Sequence, residues 1–193
     1  MATRTLTIAA VCLTTLSDFY FFTSGTATPP KMTTSGSRLT SSLKVRISDQ
    51  STPSELKVAI HNKDPSRTIT FLSWDTAFDP QAINSGVLCL ENADTDEEIP
   101  SPDMKLNRKL PPPRDDLIEI SPGSTVTKIV ALKSPWIPTD GQRYRAHFQG
   151  SWKAAWSKAA AQVTDEELAS VTGDMDSQSN FHTDKFEMQL GKQ

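Results

Sequence analysis

The 193 residues carry 20 Lys and Arg against 23 Asp and Glu, a formal charge of −3, with 36% hydrophobic residues. That length holds one ordinary domain with tails, and so mild an acidity supplies no global field to attract nucleic acid or anionic lipid. Thirteen Pro against eight Gly favour short interrupted segments over long helices, while four Trp and eight Phe are too many for a disordered chain.

At the N-terminus, Arg4 precedes the apolar run Leu6 to Leu13, which has the character of a signal-peptide core, and Gly25-Thr26-Ala27 supplies small residues suited to cleavage. Asp18 breaks the run well short of the roughly 20 apolar residues that span a bilayer, so no membrane span is expected. Residues 1–31 are read as a signal-like or disordered leader, with Met32 as an alternative start. A cleaved signal implies secretion; otherwise the protein is cytoplasmic. Residues 24–42 are rich in Ser, Thr, Gly and Pro and read as linker, giving a leader and linker over 1–41 and a domain over 42–193.

A two-residue period then takes over. Leu43, Val45 and Ile47 alternate with Lys44, Arg46 and Ser48, and Leu56, Val58 and Ile60 repeat the pattern after Pro53. Asn62 to Ser66 is a turn in which Asn and Asp side chains bond their own backbone. A strand is expected over Thr68–Trp74, then a polar loop Asp75–Ser85, then extended structure over Val87–Leu90. Residues 91–115 are irregular and include Pro111-Pro112-Pro113. Further strands are expected around Leu117–Ile120, Val126–Leu132, Tyr144–Phe148 and Phe186–Leu190, with a corner at Ser121-Pro122-Gly123-Ser124. Trp152 to Ala161 fits helix and strand equally. Thr164-Asp165-Glu166-Glu167 is a capping box opening one short helix that ends at Gly173. Seven or eight short strands with this punctuation predict an all-β, antiparallel immunoglobulin-like sandwich with one short helix, its core including Leu43, Val45, Leu56, Val58, Ile60, Phe71, Ile118, Val130 and Phe148.

The residues offer no catalytic chemistry. Cys12 and Cys89 lie in unlike settings and do not read as a disulfide; Cys89, among Val87, Leu88 and Leu90, reads as a small buried hydrophobe. His61, His147 and His182 are scattered, and the chain lacks His-Glu-x-x-His, a Gly-x-Ser-x-Gly elbow and a phosphate loop. Asp94-Thr95-Asp96-Glu97-Glu98 lacks the Gly and the distal Glu of a calcium loop and reads as a solvated acidic loop; Asp174-Met175-Asp176 is weaker still. Arg114-Asp115-Asp116 reads as local pairing or a strand cap. Lys105, Arg108 and Lys109 form a short basic patch without interleaved aromatics, so nucleic-acid binding is not expected. No catalytic residue, metal ligand or cofactor is assigned.

The stretch Phe71-Leu72-Ser73-Trp74-Asp75-Thr76-Ala77-Phe78-Asp79-Pro80 resembles a near-identical segment in a family of small fungal proteins, themselves similar to the prodomain of deuterolysin-type zinc metallopeptidases without the peptidase. Ser85-Gly86-Val87-Leu88, Pro111-Pro112-Pro113, Ser121-Pro122-Gly123 and Gly150-Ser151-Trp152-Lys153-Ala154-Ala155-Trp156 follow the same pattern, over residues 42–190. The resemblance implies an immunoglobulin-type sandwich that works by binding, as a protease inhibitor or folding assistant, with a protein partner such as a peptidase. The alternative is an accessory or catalytic component of a fungal secondary-metabolite pathway. A deep apolar pocket would favour the second, a solid core with a surface aromatic patch the first. Trp74, Asp75, Phe78, Asp79 and Trp136 are the candidate binding residues, because loops on a rigid sandwich gather binding groups and Phe78 has no period that would bury it.

Overall fold

The computed structural model describes residues 39–171 and 179–191. The leader, Cys12 and Asp174-Met175-Asp176 lie outside the described residues, and the helix expected to run to Gly173 ends at Ala169, capped by Ser170. Alternation builds the first sheet. β1 (Leu43–Thr52) buries Leu43 and Val45 and exposes Lys44 and Arg46. It pairs antiparallel with β2 (Glu55–Asn62), whose Leu56, Val58 and Ile60 have no exposed surface. The chain leaves β2 through the expected turn. Asn62 Oδ1 accepts the Asp64 amide at 3.0 Å, and Asp64 Oδ1 accepts the amides of Ser66 at 3.0 Å and Arg67 at 2.9 Å. The Ser66 amide, then the Arg67 guanidinium, hold the Asp64 carboxyl well below the ordinary carboxylate range.

β3 (Ile69–Leu72) ends two residues before Trp74, because Ser73 turns its amide to the Asp116 carbonyl at 2.9 Å. Every residue of β3 is buried. Ile69 and Phe71 enter the main core, while Leu72 joins Trp74, Leu117, Val163, Leu168 and Val171 in a second cluster. β4 (Leu88–Asn92) and the two-residue β5 (Glu98–Ile99) follow, then β6 (Leu117–Ile120) beside β3, and β7 (Thr125–Ala131) beside β2.

The long β8 (Arg143–Trp152) organises the second half. It pairs with β4 on one side. On the other it pairs with β11 (Phe186–Gln189) at its start and β10 (Ser179–His182) at its end. Tyr144, Ala146, Phe148 and Trp152 are buried, and the Trp152 ring meets Phe71 edge-on at 4.9 Å. The ambiguous stretch from Trp152 to Ala161 holds both: β9 (Ala155–Trp156) pairs with β3, and a 3-10 turn follows at Ala160–Gln162. The helix α1 (Asp165–Ala169) opens with the expected capping box, the Thr164 amide reaching Glu167 Oε2 at 2.8 Å and the Glu167 amide reaching Thr164 Oγ1 at 3.3 Å. All named strand pairs are antiparallel, and the three ladders β1-β2-β7, β10-β8-β4-β5 and β6-β3-β9 share one core. Ile118 and Val130 are half-buried against it; the other expected core residues lie inside.

Three local readings are corrected. Leu39 and Thr40, read as linker, are 3% and 2% exposed. The acidic loop is not merely solvated: Asp94 pairs with Arg143 and Asp96 with Arg145, which tie it to β8. Asp116, read as pairing locally or as a strand cap, accepts the Trp74 indole N–H at 2.7 Å.

β8 comes so close to residue 75 that a Cβ on Gly150 would lie 2.2 Å from the Asp75 carbonyl oxygen and 2.9 Å from the Phe181 ring. The backbone must move to admit it, so Gly150→Ala is expected to cost about 1–3 kcal/mol in urea unfolding. An unchanged midpoint would show that the contact is slack.

Candidate functional site

The segment between β3 and β4 is closed by its own side chains. Thr76 Oγ1 donates to the Ser73 carbonyl at 2.6 Å and accepts the Phe78 amide at 3.2 Å. Asp79 Oδ1 accepts the Gln81 amide at 2.9 Å, and Oδ2 accepts the Asp75 amide at 2.9 Å and pairs with the Arg108 guanidinium. Arg108 in turn lies 5.4 Å from the centre of the Trp74 ring, a cation–π contact. From β7, Lys128 Nζ donates to the Phe78 carbonyl at 2.7 Å.

This geometry sorts the five candidate residues. Phe78 is 1% exposed and packs in the core 6.5 Å from the Phe71 ring, so the expectation of an exposed aromatic there is corrected. The physical reason is the turn made by Thr76 and Asp79, which folds the side chain back under the sheets; loop burial obeys no two-residue period. Asp79 is 4% exposed and fully engaged within the fold. Trp136 is half-buried, donates its indole N–H to the Ile83 carbonyl at 2.9 Å, and borders neither of the clefts described next. Trp74 is 6% exposed and packs in the second cluster, so the expectation of a surface aromatic is corrected there too, although it lines a cleft beside the half-buried Asp75. Asp75 adopts φ 55°, a left-handed conformation that Asp tolerates better than most residues, and its carboxylate lies 3.0 Å from Lys153 Nζ.

Asp75 stands between two clefts. One, of about 490 Å³, has Trp74 and Asp75 along one wall and residues 103–110 along the other. Met104 and Leu110, 46% and 47% exposed, rise from it beside Lys105 and Arg108. The second, of about 850 Å³, lies over the end of β8, with Ser85 and Val87 on one side and β10 on the other. Both are open to solvent and of mixed polarity. Reasoning from the sequence missed the 103–110 strap because it has no hydrophobic period; its bracketing by Pro102 and Pro111 was the available signal.

The outer face of β4 and β8 holds Cys89 across from His147. Burial, reinforced by Glu98 and opposed by the Gln149 amide, pushes the Cys89 thiol up, which suits a buried thiol rather than a nucleophile. His147 Nδ1 is buried and has no hydrogen-bond partner among the described residues. Burial, aided by Lys185 and His182 and opposed by Glu91 and Glu98, pushes its pKa down. Among the described residues, no group of three or more His, Cys, Asp or Glu is placed to hold a metal ion, and no helix is long and apolar enough to cross a membrane.

Residues 42–190 match the family model of an immunoglobulin-like domain. An uncharacterized secreted protein of the fungus Arthroderma benhamiae is 32% identical over 126 residues, which cover 64% of this chain. The match spans 63% of that relative's length.

Two outcomes follow from the geometry. Phe78→Ala is expected to remove about 3–5 kcal/mol of stability in denaturant unfolding, as large core truncations do. A loss below 1 kcal/mol would contradict the burial. For His147, the folded pKa lies below the unfolded value of about 6.5, so the unfolded chain binds the proton more tightly. Stability is therefore expected to fall as pH is lowered through about 6.5, and His147→Gln to flatten that limb of the thermal-stability profile. A profile indifferent to the substitution would remove His147 as its cause.

Proposed function

The chain belongs to the immunoglobulin-like domain family, and we propose that it is a secreted, non-catalytic interaction protein that binds a protein partner through the cleft between Trp74 and the 103–110 strap. The observation that carries this is the pair of large apolar side chains, Met104 and Leu110, standing about half exposed on a strap anchored by a buried ion pair. Such residues are anchors of the kind that dominate interfaces, and a strap already ordered by Arg108 loses little entropy on docking. Lys105 makes no ion pair among the described residues and favours a partner with carboxylates at the rim. Two open clefts of mixed polarity, rather than a deep apolar pocket, support partner binding over small-molecule turnover. The secreted fungal relative supports secretion, and the resemblance to metallopeptidase prodomains makes a deuterolysin-type catalytic domain the first partner to test.

The test is to titrate the full chain against such a catalytic domain, following binding by calorimetry and hydrolysis of a peptide substrate. Met104→Ala and Leu110→Ala are each expected to weaken binding by at least about 1 kcal/mol while leaving the melting temperature in place. Absence of binding would overturn the peptidase as partner; binding indifferent to both substitutions would move the interface elsewhere.

A further inference from the structure

The strap between Pro102 and Pro111 is tied to the sandwich at its start and through one side chain, and its backbone is otherwise unpaired. Asp103 bridges Ser85, and the Met104 amide donates to the Asn84 carbonyl at 3.1 Å. Arg108 pins the far half through Asp79. Over residues 105–110 no backbone amide or carbonyl finds a partner among the described residues. Residues 104–109 contain no helix, turn or bend, and their exposure alternates. Leu106 and Arg108 are half-buried, whereas Lys105, Asn107 and Lys109 are exposed. A two-residue alternation is what extended chain produces. The strap is built like a strand but belongs to no sheet.

A row of unpaired N–H and C=O groups is a template for another strand. In such pairing main-chain hydrogen bonds supply affinity and alternate side chains supply specificity. The strap is bracketed by prolines and held at Asp103, Met104 and Arg108, so an incoming peptide has little left to order. Its charge decides the occupant. Lys105 and Lys109 share a face of the extended chain and make no ion pair among the described residues. A second copy of this chain, paired antiparallel over the whole segment, would set Lys105 against Lys109, and like charges directly opposite are destabilising. A segment with carboxylates at those two places reverses the sign. Met104, Leu106 and Leu110 favour apolar residues at the alternate positions. Asp103, exposed at the start of the strap, disfavours a carboxylate carried further that way. We propose that the partner, bound at the strap as read above, contributes an extended acidic segment that adds as a strand along residues 105–110. Its acidic side chains stand four residues apart, opposite Lys105 and Lys109. This pairing rests on that reading of the strap and specifies the chemistry of the partner.

The isotope-labelled full chain is titrated with acetyl-Leu-Glu-Val-Thr-Val-Glu-Leu-amide, with a version carrying Lys for Glu, and with two N-methylated versions of the acidic peptide. One is methylated on its Glu and Thr amides, the other on its Val amides. Successive amides of a strand point to opposite edges, so only one of these sets faces the strap. The acidic peptide is expected to bind and to slow hydrogen exchange of the strap amides that face it by at least about tenfold. One N-methylated version is expected to lose binding and the other to keep it. The Lys version is expected to bind only the doubly reversed chain, Lys105→Glu with Lys109→Glu, whose melting temperature stays in place because both side chains are exposed. The proposal is overturned if the acidic peptide does not bind, if both N-methylated versions bind as well as the parent, or if charge reversal leaves the choice between acidic and basic peptides unmoved. It is overturned in favour of a second copy if the chain alone dimerises with the strap amides protected. Failure of the peptide leaves Met104 and Leu110 as side-chain anchors for the partner, and failure of the peptidase domain to bind leaves the peptide result standing.

Discussion

The buried carboxylate of Asp79 is the constraint on which this end of the molecule depends. Its two oxygens take backbone amides of Asp75 and Gln81 and the guanidinium of Arg108, so one side chain ties both arms of the β3–β4 connection to a strap about thirty residues later. A buried carboxylate is tolerable only when its lone pairs are met this fully, and removing one partner of such a pair costs about 3–5 kcal/mol. The rest follows mechanically. Arg108, fixed by Asp79, covers the Trp74 ring; Trp74, fixed by Asp116, covers the second hydrophobic cluster; and Phe78, turned inward by the same loop, completes the first.

The two clefts are by-products of that arrangement. Asp79 holds the Asp75 amide, and Asp75 takes the left-handed conformation that sends its carbonyl to Ser151 and its carboxylate to Lys153. The residue therefore forms a ridge, with the apolar-basic strap on one side and the polar floor of β8 and β10 on the other. The close approach that makes the ridge also explains Gly150: no side chain fits between the Asp75 carbonyl and Phe181. A single tight contact thus separates two surfaces of unlike chemistry.

What could be read from the sequence was local. The alternation of β1, β2 and β8, the Asn62–Asp64 turn and the Thr164–Glu167 capping box each depend on neighbours a few residues away, and each formed as expected. The burial of Phe78 comes from the Thr76 and Asp79 turn and from packing on Phe71, a contact that no two-residue period encodes. β10 was invisible for a similar reason: Ser179-Asn180-Phe181-His182 has little intrinsic strand character and pairs because β8 offers it an edge. The motif most conspicuous in the sequence, around Trp74 to Pro80, was legible as special but not as structural. Its polar residues serve the fold, and of the five candidates only Trp74 and Asp75 border a cleft.

Sandwiches can also recruit partners by adding a strand to an open edge, and the edges of the β1-β2-β7 ladder discourage it. β7 pairs with β2 alone among the described residues and exposes Ile129 at 46%, a segment with strong β-propensity and a single charge. That charge, Lys128, shares a face with Val126 and Val130, and its ammonium is held against the Phe78 carbonyl. A charged residue directed inward on an edge strand penalises the close docking of another strand. The opposite edge, β1, carries register irregularities between Ile47 and Asp49 and between Gln50 and Thr52, and its outward Lys44 and Arg46 repel a like strand. With both edges of this ladder guarded, backbone pairing along it is a poor route to association. Side chains at the loop end of the sandwich are better placed for recognition, because Asp79 has already met the entropic cost of ordering them.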